Sequence, residues 1–426
     1  SLESIIRTLR EALKLRIVLI LLSTPPRTNL VHQQPENTHF EVSRTCKMRV
    51  VVAIVSCLLV LAGFASSFSP SSPPSSLLRS ARRRFSSIAL SSASSDPCPL
   101  PSSADLDWGS LGFSLVPTKS HVKLTHKGDG WSDPDLVSEP YVTLHIGATA
   151  LHYGQACFEG LKAFAREDGS VWMFRPTANC DRMHLSASRT VMPPLPQDTF
   201  VSALRACVLD NMAYVPPYSS NGALYLRPLL FGSGPRIGLQ PSGEYTFLVM
   251  ATPVGDYYKD GLSPIPCRVV SGYDRAAPEG VGGVKVAGNY VADLKPNIEG
   301  KDAGYPIGLY LDAKTKSLVE EFSTSNFVGV RRSSSGGWSY VTPTSPSVLP
   351  SITNKSLMAL AEDMGMEVER RDIRIEELGE FEEVMAVGTA VVVTPIRSIK
   401  VGDDEYVYGE ETGEWTRKLY DRMRRI

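Results

Sequence analysis

The chain has no C-x-x-C pair and no H-E-x-x-H, and its seven cysteines (Cys46, Cys57, Cys98, Cys157, Cys180, Cys207 and Cys267) lie far apart. Neither a disulfide framework nor a zinc site is expected from such spacing, and no metal is assigned. A surplus of charge is missing too. With 44 basic against 45 acidic residues the formal net charge is -1, so the chain lacks the electrostatic footprint of a nucleic-acid binder and a small-molecule partner is expected. Residues 48–95 contain no Asp or Glu. The apolar run from Val50 to Leu61 falls short of the roughly 18 to 20 residues of a membrane span; a signal anchor is the alternative to a cleaved signal, and no membrane association is expected of the mature form.

What is present sorts into a leader and a globular part. "MRVVVAIVSCLLVLAGFASSF" has the parts of a signal peptide, here assigned to 48–67. The Ser/Arg-rich, acid-free stretch that follows, 68–100, has transit-peptide composition. A leader in two parts points to a plastid, with a mitochondrion as the alternative. Residues 1–47 precede Met48 and read as a non-native or disordered leader. The whole chain's 42% hydrophobic and 21% charged residues suit a sizeable core, expected beyond the leader in two domains: 105–256, a loop at 257–264, and 265–426.

Periodicity sets out the elements. "SVWMFR", "GALYLRPLLFG" and "EYTFLVMATPVG" read as strands, and the segments after Arg175 and after Pro196 read as helices capped by Thr177 and Asp198. A hairpin turning at Asp312 to Lys316, a strand at "FVGV", a helix entering after Pro350 and a strand, Gly turn and strand across "EEVMAVGTAVVVTPIRSI" follow. Within "GVGGVKVAGNY", Lys285 has valine on both sides and glycines around it. Partial desolvation there lowers an amine's pKa, as a nucleophilic lysine requires; a surface lysine in a glycine-rich turn is the alternative.

Six segments in order, "LHYGQACFEGLKAF" (151–164), "DRMHLSASR" (181–189), "LYLRPLLFGSG" (224–234), "KVAGNY" (285–290), "EEFSTSNF" (320–327) and "VGTAVVVTPI" (387–396), carry a resemblance. From about Trp108 to Arg425 the chain resembles the branched-chain amino-acid aminotransferases, pyridoxal-phosphate enzymes of fold-type IV. The resemblance implies a mixed α/β, two-domain fold with pyridoxal 5'-phosphate at the domain interface, and a homodimer. It implies that Lys285 is the catalytic lysine and proton shuttle, that Glu321 faces the pyridine nitrogen, and that Tyr290 bonds the phenolic oxygen. Neighbouring Glu320 reads as a solvated hairpin charge. Arg182, Thr389 and the amides of Ile352 and Thr353 would hold the phosphate; the last two also follow from the free N–H groups of a helix start.

For the substrate, the resemblance implies an apolar pocket from Phe113, Tyr153 and Phe158. Tyr225, Arg227 and the Thr389 and Ala390 amides would meet carboxylates, with Tyr225 and Arg227 on one strand face. Gly160 and Lys162 complete "FEGLK", the glycine giving backbone access to a ligand. Taken singly, Arg182 also reads as a helix-surface arginine and the aromatics as plain core. The implied reaction moves an amino group between L-leucine, L-isoleucine or L-valine and 2-oxoglutarate. Alternatives are another fold-type IV activity (D-amino-acid aminotransferase or aminodeoxychorismate lyase) or a cofactor-binding protein without catalysis. Two departures stand out. Ser351 and Asn354 replace the glycine and arginine of the family's L-P-G-I-T-R, and Val391 and Thr394 occupy the positions of the animal enzymes' C-x-x-C.

Overall fold

The structure, a computed structural model, describes residues 87–90, 100–255 and 262–426. The leader segments 1–47 and 48–67, most of 68–100, and part of the expected 257–264 loop lie outside them. Inside the expected transit segment, Ser87–Leu90 pairs antiparallel with Val171–Phe174 at one edge of a sheet.

Among the described residues, every strand before residue 255 belongs to that first sheet, and all its pairings are antiparallel. Its centre is the long pair Ala223–Gly232 and Glu244–Val254, in unbroken register from Ala223↔Val254 to Gly232↔Tyr245. Alternation along the first of these strands sends Leu224, Leu226 and Leu230 into the core and Tyr225 and Arg227 to the opposite face, as expected. Helices Pro176–Arg189 and Gln197–Asp210 cover the core side. Their buried positions (Cys180, Met183 and Ala187; Phe200, Ala203, Leu204 and Cys207) recur at three- and four-residue spacing, which gives each helix one apolar stripe.

The helix starts differ from expectation. Pro176 opens the first helix with Arg175 before it at φ 50°, so Thr177 lies inside the first turn. Proline at the first helical position has no N–H to lose, which fixes the start two residues earlier than a Thr177 cap would. Asp198 likewise sits inside a helix that begins at Gln197 after Pro196. There its carboxylate acts on the helix dipole instead of capping.

The strands after residue 262 form a second, mixed sheet that closes on itself. In order the ring runs Val319–Phe322, Ile307–Leu311, Ile265–Val269, Val392–Val401, Glu383–Gly388 and Asn326–Arg332, and Asn326 then pairs back to Glu321. The expected hairpin at Asp312 to Lys316 is there, its turn held by Asp312 Oδ1, which accepts from the Ser317 and Leu318 amides. Helices Ile352–Asp363 and Glu414–Arg424 pack outside, where Leu357, Leu360 and Leu419 meet Met385 and Val387. The mixed α/β class is the one expected.

Lys285 lies where the two sheets approach. The Phe158 amide donates to the Lys285 carbonyl at 3.1 Å and the Ala287 amide to the Ala156 carbonyl at 3.1 Å, so residues 285–287 run antiparallel beside the first sheet. The glycines before Lys285 serve close approach. A Cβ on Gly282 would stand 2.4 Å from the Ser347 carbonyl oxygen, and one on Gly283 2.5 Å from that of Pro346.

Candidate active site

The Lys285 side chain extends between the rings of Phe158 and Tyr290, its Nζ 4.7 Å and 4.9 Å from their centroids. Nζ donates to the Tyr290 hydroxyl at 2.6 Å. Its backbone N–H donates to Ser186 Oγ at 2.9 Å, which fixes the base of the side chain. Burial, followed by the nearby Arg182 guanidinium, lowers the amine's pKa to about 7, with Glu159 and Glu321 opposing. A substantial neutral fraction therefore exists near neutrality. Burial and the Glu321 charge raise the Tyr290 phenol, which stays protonated.

One buried face of the helix Pro176–Arg189 carries polar residues at positions 179, 182 and 186, and all three serve the site. Arg182 makes a two-pronged ion pair with Glu159, Nε to Oε1 at 2.8 Å and Nη2 to Oε2 at 2.7 Å, while Nη1 donates to the Pro350 carbonyl at 3.1 Å. Asn179 Nδ2 donates to Glu159 Oε2 at 2.8 Å. That puts Arg182 beside the start of the helix Ile352–Asp363. Ser351 caps this helix by accepting the Asn354 amide at 3.1 Å, which leaves the first two amides, Ile352 and Thr353, outside the helical hydrogen-bond ladder. A guanidinium next to free helix amides is an anion cradle.

Across the site stands Glu321, 4% exposed. Its Oε1 accepts from the Leu349 amide at 3.1 Å and pairs with Arg275, and Oε2 accepts from Asn326 Nδ2 at 2.9 Å. Burial pushes its pKa up to about 7, with Arg275 the largest opposing influence. Glu320, expected in solvent, is buried as well. Its Oε1 accepts from Ser345 Oγ at 2.6 Å, and all four residues of the strand Val319–Phe322 are buried, so neither face is open to water.

Tyr225 and Arg227 face the same region. Arg227 Nη2 donates to the Tyr225 hydroxyl at 3.0 Å, and the guanidinium lies over the Phe158 ring at 4.7 Å. Arg227 Nε is buried without a partner, a cation with capacity left for an anion. Gly160 makes room for the phenol, since a Cβ there would fall 2.2 Å from the Tyr225 oxygen. Lys162 Nζ donates to the Ala390 carbonyl at 2.8 Å and so pins the turn that carries Thr389 and Ala390. Val392, at φ 64°, holds that turn in a conformation disfavoured for a branched residue. A cavity of ≈ 790 Å³ is lined in part by Gly160, Lys162, Ile352, Thr353, Thr389 and Val392.

Phe158 packs against Tyr290 with centroids 4.9 Å apart, and Phe113 meets Tyr225 edge-on at 5.2 Å. Tyr153 stands apart from this cluster. It is 43% exposed, and its hydroxyl donates to the Ile237 carbonyl. The sequence singles out Arg182, Lys285, Tyr290 and Glu321 but not the residues that orient them: Glu159, Asn179, Ser186, Arg275 and Asn326. For Asn179 and Ser186 the readable signal is their helical spacing from Arg182; for the other three the sequence carries none.

The donors fit pyridoxal phosphate: an amine for the aldehyde, a buried carboxylate for the ring nitrogen, and Arg182 with two helix amides for the phosphate. Comparison with known proteins agrees. The family model for class IV amino-transferases matches residues 156–399. A branched-chain-amino-acid aminotransferase of Helicobacter pylori is 42% identical over 326 residues, covering 76% of this chain and 94% of the relative. The chloroplastic branched-chain amino acid aminotransferase 2 of Humulus lupulus is 41% identical over 325 residues, covering 76% and 78%. Among solved structures, the Escherichia coli branched-chain amino acid aminotransferase superposes with a TM-score of 0.60 at 26% identity, covering 72% of this chain and 93% of that one. On these grounds the chain belongs to the class IV aminotransferases and, within them, to the branched-chain amino-acid aminotransferase family.

Proposed function

We propose that this site transfers the amino group between L-leucine, L-isoleucine or L-valine and 2-oxoglutarate, with pyridoxal 5'-phosphate held by Lys285, Arg182, Tyr290, Glu321, Thr389 and the Ile352 and Thr353 amides. When bound, the cofactor supplies an aldehyde that exchanges amino groups and a ring that acidifies the substrate Cα–H. The observation that carries the reading is Lys285. Its amine, neutral in part near pH 7, is held by Tyr290 between an anion cradle and a buried carboxylate.

From these residues the roles follow. Lys285 Nζ takes the proton from the substrate Cα and returns it on the reverse half-reaction. Glu321, ion-paired with Arg275, would support a proton on the ring nitrogen. Tyr225, Arg227 and the Thr389 and Ala390 amides bind carboxylates, and Arg227 serves the distal carboxylate of glutamate. Phe113 and Phe158 exclude water from the side-chain pocket.

The chain is further proposed to act as a homodimer. Tyr141, Ile146, Leu151, Tyr153, Ile237 and Leu239 are exposed apolar residues on two segments joined by the Arg236 amide to Gly147 carbonyl bond and the Tyr153 contact to Ile237. A division into domains 105–256 and 265–426 is part of the same proposal, supported by the separate strand pairings of the two sheets. A plastid location, reached through the two-part leader, has support from the chloroplastic relative.

The test is the absorbance spectrum of the cofactor-loaded protein. Leucine should abolish the visible band and 2-oxoglutarate restore it, whereas D-alanine should leave it unchanged. A spectrum that answers D-alanine but not leucine would contradict the reading.

A further inference from the structure

Behind Glu321 lies a chain of buried polar side chains whose donor directions are all determined. Thr342 Oγ1 donates to the Phe327 carbonyl at 2.8 Å, so its remaining role toward Asn354 is to accept, and Asn354 Nδ2 donates to it at 2.9 Å. That orientation turns Asn354 Oδ1 to the Tyr340 hydroxyl, which donates at 2.7 Å. The second Asn354 N–H reaches Asn326 Oδ1 at 3.3 Å. Asn326 Nδ2 then faces Glu321 Oε2 at 2.9 Å and the Leu349 carbonyl at 3.1 Å. Thr342, Tyr340, Asn326 and Asn354 are all buried, so no water can exchange for a missing partner at low cost. Turned over, Asn326 would set its oxygen against a carboxylate and a carbonyl at once.

Asn354 also occupies the first turn of the helix whose Ile352 and Thr353 amides form the anion cradle, and its own amide is taken by Ser351. One side chain therefore ties the start of that helix to the carboxylate on the far side of the site. We propose that Asn354 is a positioning residue that fixes, through Asn326, the orientation of the Glu321 carboxylate toward the cofactor ring. Asn354 touches neither cofactor nor substrate in this role; it determines which face of Asn326 Glu321 meets. The inference rests on the assignment of Glu321 to the ring nitrogen, and the test separates the two.

The measurement is the pH midpoint of the visible band of the resting, cofactor-loaded protein, taken with the rate of the leucine half-reaction at saturating leucine. Four proteins are compared: wild type, Asn354→Leu, Thr342→Val and Glu321→Gln. Asn354→Leu keeps roughly the size, adds no charge and offers no donor, so Asn326 loses the N–H that orients it. Thr342→Val removes the acceptor that orients Asn354 and leaves Asn354, Asn326 and Glu321 untouched.

Both variants should move the midpoint in the same direction as Glu321→Gln. They should also slow the saturated half-reaction about tenfold, the scale of one hydrogen bond to a charged group, with the leucine KM unchanged. A wild-type midpoint in Thr342→Val and in any folded Asn354 variant, with Glu321→Gln displaced, overturns the role of Asn354 alone. A wild-type midpoint in Glu321→Gln removes the ring assignment and this inference with it.

Discussion

Arg182 and Glu159 meet as a buried two-pronged pair, with both nitrogen to oxygen distances below 3 Å. Two bonds hold the guanidinium in one plane and leave Nη1 directed at the carbonyl of Pro350, beside the helix that offers its free amides. The ion pair thus positions the cation that an incoming phosphate would meet.

Removing Glu159 leaves that cation buried without compensation, at a cost of about 3 to 5 kcal/mol. Urea unfolding of cofactor-free Glu159→Ala should show a loss of that order, and saturating pyridoxal phosphate should recover part of it by supplying an anion. Equal stability of the variant and wild type would contradict this. Arg182→Ala should instead weaken cofactor affinity by about 1.5 to 3 kcal/mol and leave the saturated rate less affected.

The lowered pKa of Lys285, about 7 against the ordinary 10.5, makes a prediction for the cofactor-free protein. A lowered pKa means that the neutral, reactive amine is half formed near pH 7 and nearly complete about a unit higher. The rate of covalent capture of pyridoxal phosphate should therefore rise through pH 7 and level off by about pH 8. A rate that kept climbing towards pH 10 would show an ordinary lysine.

Gly160→Ala should displace the Tyr225 phenol, because the added methyl would need the oxygen's place. The KM values for leucine and 2-oxoglutarate should rise about tenfold, the scale of one bond to a charged group, while cofactor affinity holds. Tyr225→Phe in that background should add little, since the two changes act on one contact. Full additivity would separate Gly160 from Tyr225.

Ile237→Asp together with Leu239→Asp places two charges on the exposed apolar surface. Sedimentation should then show a monomer, against the dimer proposed for the parent protein. A dimer that persists in the variant would move the interface elsewhere.

Much of the site was legible because its chemistry sits in short segments: Lys285 to Tyr290 within six residues, and Tyr225 and Arg227 on one face by strand alternation. What could not be read depends on contacts across the chain. Glu159 lies in a segment that was recognised, yet its role appears only when Arg182 arrives from the next helix. Glu320 and Glu321 are indistinguishable as a local pair; closure of the ring of strands buries both and gives them different partners. Ser351 and Asn354, departures from the family's pattern, prove locally consistent. The serine caps the helix that a glycine would have left uncapped, and the asparagine joins a satisfied network. The glycines before Lys285 look like turn formers in sequence but are sites of backbone contact with Pro346 and Ser347.

The central claim is that Lys285 carries the cofactor, and borohydride reduction of the loaded protein followed by peptide mapping tests it most directly. The label should lie on the peptide containing "VKVAGNY", and Lys285→Ala should bind pyridoxal phosphate without a covalent bond while losing turnover by several orders of magnitude. Label on another lysine, or turnover near that of wild type in Lys285→Ala, would contradict the account.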